Sequence, residues 1–252
     1  MKLVHNIVEA GFASRWSAVF ELESAMNAGM VRTGGIMVFV LLVLGVVMSL
    51  VVAADAVKIG ADGRPQITGG AILLVSNIIY VVIIVFVYWT TKGLFNALGY
   101  RQADIPIMVI MSILAVNLIL GFIGGAGFDS IGSVSAMVGS TNVVGIISLI
   151  MMLVLFAAWL WFAMAALGFG NRIASGLWKG IGIVYLIGTV LFVLSMLLLV
   201  MLGVSEASGL AIGDGFQMLI GIQATVGMLV ILAGWICHGI GLITGADRMG
   251  QA

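Results

Sequence analysis

Six stretches of this chain carry no Asp, Glu, Lys or Arg: residues 33–54, 65–91, 105–128, 130–171, 180–205 and 215–246. Each is long enough to cross a bilayer, since a helix needs about 20 apolar residues to traverse roughly 30 Å of hydrocarbon. In lipid every backbone N–H and C=O must be bonded within the protein, which leaves helices or closed barrels. Barrel strands alternate apolar and polar side chains. Runs such as Val81–Val87 and Leu197–Leu202 are apolar at every position. The chain therefore reads as an all-α integral membrane protein.

Composition agrees. Hydrophobic residues make up 63% of the 252 and charged residues 8%, with a mean hydropathy of +1.30. Soluble domains are about 45–50% apolar and about 25% charged. The 130–171 stretch is long enough to be ambiguous. Its first part, 130–142, is rich in Ser, Thr and Gly and reads as a loop or short surface helix. Six transmembrane helices follow, near 34–54, 70–90, 105–125, 143–167, 180–203 and 217–243. Residues 1–28 contain Lys2, Glu9, Arg15, Glu21 and Glu23, so they lack the apolar core of a signal peptide. Val4, Val8, Phe12, Trp16 and Val19 recur at helical spacing. An amphipathic N-terminal segment over 1–28 is expected ahead of a six-span bundle over 29–252.

Basic residues set the orientation. With both termini on one side, that side holds Lys2, Arg15, Arg32, Lys92, Arg101, Arg172, Lys179 and Arg248; the other holds Lys58 and Arg64. The positive-inside rule then makes both termini cytoplasmic, in what reads as a bacterial cytoplasmic membrane. Similar segments recur at the cytoplasmic junctions. Asn27-Ala28-Gly29-Met30-Val31-Arg32 precedes the first span and Asn96-Ala97-Leu98-Gly99-Tyr100-Arg101 the third. Leu167-Gly168-Phe169-Gly170-Asn171-Arg172 precedes the fifth, and Thr244-Gly245-Ala246-Asp247-Arg248 closes the sixth. Trp89, Trp161 and Trp235 lie upstream of the last three. Arg32, Arg101, Arg172, Arg248 and these tryptophans are the expected interface anchors. The pattern suggests three tandem hairpins, possible repeats over 29–97, 98–168 and 169–252, although Trp and Arg favour interfaces without any duplication.

Glycine occurs 35 times. Gly121 with Gly125, Gly176 with Gly180, Gly209 with Gly213 and Gly241 with Gly245 match the small-xxx-small spacing that lets helices approach in lipid. Ser76, Asn77, Asn117, Gln223 and His238 are the polar residues noted within the spans. Asn77, Asn117 and Gln223 are the candidate intramembrane contacts, either as links between helices or, in a ring of copies, as the lining of a path.

No charged side chain falls within a predicted span, which argues against an ion-coupled carrier. Motifs of serine hydrolases, zinc proteases and P-loop enzymes are missing. Cys237 is the one cysteine, and His238 beside it is expected to be hydrogen-bonded rather than a metal or haem ligand. The methionines are dispersed through the spans as apolar filler rather than grouped as a copper site. The outer-loop carboxylates lack the D-x-D-x-D-G calcium pattern. No cofactor, metal site or nucleic-acid partner is expected. The expected partners are membrane lipid and other membrane subunits or further copies of the chain. Three functions fit: a non-catalytic scaffold or assembly subunit of a membrane complex, an oligomeric channel for a small neutral solute, and a membrane-shaping protein.

Overall fold

The computed structural model describes residues 26–55, 70–123, 143–207 and 214–249. They form six helices: α1 (Ala28–Asp55), α2 (Gly70–Ala97), α3 (Asp104–Ile123), α4 (Val143–Arg172), α5 (Gly176–Ala207) and α6 (Asp214–Met249). There is no strand among the described residues. Among the described residues five helices are long and apolar enough to cross a membrane, and α3 runs 20 residues, Asp104–Ile123. The six helices coincide with the six stretches that the sequence singled out. The N-terminal segment 1–25, the loop at 130–142 and the turn at 61–65 lie outside the described residues.

Each helix packs on its neighbours in the chain, and α1 packs on α6, closing a ring; α2 also meets α6. Consecutive helices are antiparallel, whereas α2 and α6 run in the same direction. The start of α1 lies beside the end of α6, where Arg32 pairs with Asp247. The bundle thus has one end at which the starts of α1, α3 and α5 meet the ends of α2, α4 and α6. We refer to it as the charged end, because Arg32, Lys92, Arg101, Arg172, Lys179, Asp247 and Arg248 all lie there.

Local chemistry defines the helix limits. Asn27 Oδ1 accepts from the Met30 N–H at 2.9 Å, an N-cap for α1. The α2–α3 and α4–α5 turns share one hydrogen-bond pattern. Tyr100 N–H donates to Phe95 O and Gly99 N–H to Asn96 O; Ser175 N–H donates to Gly170 O and Ala174 N–H to Asn171 O. Gly99 has φ 74° and Ala174 φ 51°. These are Schellman caps, in which a left-handed residue lets two late N–H groups satisfy the helix's last carbonyls. In this register Asn96 matches Asn171. Arg101 follows its cap, but Arg172 precedes one, so the arginine spacing and the cap spacing are different repeats.

Close helix crossings are made by glycines near the charged end. A Cβ on Gly34 would collide with Thr90 of α2. One on Gly35 would lie 2.7 Å from Gly239 O of α6, and one on Gly239 would lie 3.1 Å from Gly35 O. Backbone therefore meets backbone at the α1–α6 seam. Between α4 and α5, a Cβ on Gly182 would stand 2.8 Å from Ala163 O. Among the small-xxx-small candidates, Gly241 packs on Ile181 and Trp178, and Gly245 on Leu94. At Gly176 and Gly180 nothing lies within 4 Å. Gly125, Gly209 and Gly213 fall outside the described residues, and nothing is described of the surroundings of Gly121.

The outer surface is apolar. Val43, Val46, Leu50, Leu153, Met164, Leu197, Met218 and Met228 are all well exposed. Such an exterior fits lipid rather than water. Hydroxyls fold back on their own helices: Thr33 donates to Gly29 O, Ser195 to Leu191 O and Thr225 to Gly221 O. That satisfies a polar side chain without a neighbour. The helix α2 continues past the expected span end at Thr90 and buries Lys92, so one cation enters the helical core that the sequence reading had left in a loop.

Candidate functional site

His238 is the hub of the bundle. It lies on α6 with no exposed surface. Its Nε2 is 2.8 Å from Thr91 Oγ1 of α2, and its Nδ1 is 3.0 Å from the Tyr185 hydroxyl of α5. Phe162 of α4 and Trp235 of α6 stack on its ring, each with centroids 5.9 Å away. Tyr88, Trp178 and Tyr185 meet it edge-on. One imidazole therefore touches α2, α4, α5 and its own helix.

The hydrogen bonds assign the tautomer. The single Thr91 hydroxyl proton goes to Val87 O at 2.7 Å. With that proton spent, Thr91 Oγ1 accepts from His238 Nε2–H, the tautomer this arrangement favours. Nδ1 is left as the acceptor for the Tyr185 O–H. Each ring nitrogen has one partner of the right kind, which is the full capacity of a neutral imidazole.

A cavity of about 20 Å³ lies beside this hub, lined by Tyr88, Trp159, Phe162, Tyr185, Thr189, Ile231 and Trp235. That is room for about one water. The buried Trp159 indole N–H lies near the Tyr88 hydroxyl, and both residues line the cavity.

A second aromatic cluster connects the hub to the charged end. Phe95 and Phe169 stack at 3.9 Å, with Trp178 edge-on to both and Tyr100 tilted against Phe169 at 5.7 Å. The Tyr100 hydroxyl donates to Gln102 Oε1 at 3.0 Å. Burial raises the Tyr100 phenol above its ordinary pKa, and the nearby Arg172 guanidinium opposes that shift. Arg248 donates to Ile173 O across the α4–α5 turn.

The residues singled out from sequence do not converge. Asn77, Asn117 and Gln223 are half-buried, no hydrogen bond joins them, and the Gln223 amide nitrogen is buried without a partner. Trp161 is exposed on the lipid side, and Trp89 lies near Phe86. Trp235, expected at the interface, instead turns inward onto His238. Sequence reasoning passed over Thr91, Tyr185 and Trp178. Thr91 was missed because the expected span ended at Thr90, one residue before it. The co-occurrence of Thr, Tyr and His in otherwise apolar helices was the available signal. Among the described residues no group of three or more His, Cys, Asp or Glu is placed to hold a metal.

No protein-family model matches this chain, and no match was found among curated proteins or solved structures.

Proposed function

We propose that the protein is a non-catalytic subunit of a larger membrane complex, a scaffold or assembly component embedded with both termini in the cytoplasm. The observation that carries this reading is the closed state of the His238 hub. Both imidazole nitrogens are occupied by side chains of neighbouring helices, and the adjacent space is the size of one water. A general base needs a nitrogen in reach of a substrate proton, and a solute path through one chain needs more room. The exterior offers mainly apolar surface, which suits contact with lipid and with other membrane helices.

The test is the native mass of tagged protein after gentle extraction, with identification of what accompanies it. Stoichiometric foreign subunits support the scaffold reading. A homo-oligomer without companions would overturn it in favour of an oligomeric channel. In that case Asn77→Leu, Asn117→Leu or Gln223→Leu should lower solute flux into liposomes. Curvature lost on deleting residues 1–28 would instead favour a membrane-shaping protein.

A further inference from the structure

We infer that the charged end carries a binding site for the phosphate of an anionic phospholipid headgroup, formed by Arg101, Arg172 and Arg248. The aromatic cluster packs together the segments that carry Arg101 and Arg172, and Arg248 joins them through Ile173. Arg172 ends α4, and its Nη2 would lie 3.3 Å from a Cβ on Gly99 in the α2–α3 turn. Arg101 lies two positions beyond Gly99 in that same turn. Arg248, near the end of α6, reaches over the α4–α5 turn to Ile173 O at 3.1 Å, the residue after Arg172. Packing of Tyr100 on Phe169 and of Phe169 on Trp178 fixes the two turns side by side.

All three arginines are exposed. No ion pair is formed by them among the described residues: Asp247, next to Arg248, is held by Arg32, and Asp104, three residues after Arg101, begins α3. Arg248 spends one of its donors on Ile173 O and keeps the rest. Guanidinium is a planar fork that matches phosphate oxygens, and basic pockets between helix ends on one membrane face are suited to anionic headgroups. A lipid is favoured over free phosphate because the rim continues into apolar surface. Ile105 at the start of α3 and Met164 and Trp161 on α4 are exposed where acyl chains would lie against the same helices.

The experiment uses the full chain in nanodiscs of phosphatidylcholine doped with phosphatidylglycerol, reading retained lipid by native mass spectrometry. Preferential retention of phosphatidylglycerol is expected in the wild type. The Arg101→Gln/Arg172→Gln double variant should weaken it by about 25-fold, or about fivefold per arginine removed. Arg172→Lys, which keeps the charge and loses the fork, should fall between. Equal retention of the two lipids by the wild type overturns the proposal even if no variant folds. So does unchanged selectivity in a folded double variant. Inorganic phosphate that displaces the lipid at millimolar concentration would reassign the site to a free anion.

Discussion

The two ends of the bundle are built differently from the same alphabet. At the charged end, Gly34, Gly35, Gly239, Gly241 and Gly245 each meet a neighbouring helix, whereas Gly176 and Gly180 at the start of α5 do not. His238, Thr91 and Tyr185 complete one another's hydrogen bonds. Towards the other end, a Cβ on Gly221 of α6 would meet nothing within 4 Å, and Asn77, Asn117 and Gln223 join no common network. Glycine content therefore does not measure packing. A glycine draws helices together only where a crossing coincides with it and where polar and aromatic groups fix that crossing.

Substitutions should separate the two ends. The largest effect is expected at the seam. Gly35→Val, whose Cβ would press on Gly239 O and on Ile243, should cost about 3 kcal/mol. Gly221→Val, whose Cβ would meet nothing within 4 Å, should stay within about 0.5 kcal/mol of wild type. Reversible unfolding in mixed micelles measures both, and equal effects would erase the contrast. Next comes the hub. His238→Phe keeps an aromatic ring but leaves the Tyr185 hydroxyl without its acceptor, a loss of about 1–3 kcal/mol. Adding Tyr185→Phe should return part of that loss, and a double variant no better than the single one would show that the bond contributes little.

Smaller effects test the caps. Ala174 occupies a left-handed conformation that costs a residue with a Cβ roughly 1–2 kcal/mol. Ala174→Gly should stabilise the protein by about 1 kcal/mol, and Gly99→Ala should destabilise it by a similar amount. If Ala174→Gly has no effect on the unfolding midpoint, the shared cap geometry is not present in the folded protein. The Arg32–Asp247 pair is the weakest contributor. Both side chains are more than half exposed, so Arg32→Gln should change stability by less than about 1 kcal/mol, and less still at high salt.

Helical class and the placement of spans were legible because charge is so costly in hydrocarbon that its absence outlines each crossing. Limits were less legible. Lys92 marked the end of a span by sequence, yet α2 continues to Ala97 and buries it. An aliphatic stem and a helix end near the membrane surface make that possible. The hub was harder to foresee. His238 stood out as a polar residue, but its partners lie on helices distant in sequence, and ring closure by α1 and α6 has no local signature. Arginine spacing suggested one repeat register, while the caps at Gly99 and Ala174 set another, because an arginine at an interface is free to sit on either side of a turn. Gly176 and Gly241 share the same motif spacing, and their surroundings differ; spacing states which face of a helix is small, and packing decides whether anything comes near.

The most direct measurement is nitrogen-15 NMR of histidine-labelled protein in bilayers. The chain has two histidines, so a His5→Gln variant leaves His238 as the sole signal. A neutral ring protonated at Nε2, with Nδ1 bare and accepting a hydrogen bond, is the predicted result. A ring protonated at Nδ1, or one exchanging freely between tautomers, would contradict the closed hub and reopen His238 as a group available for chemistry.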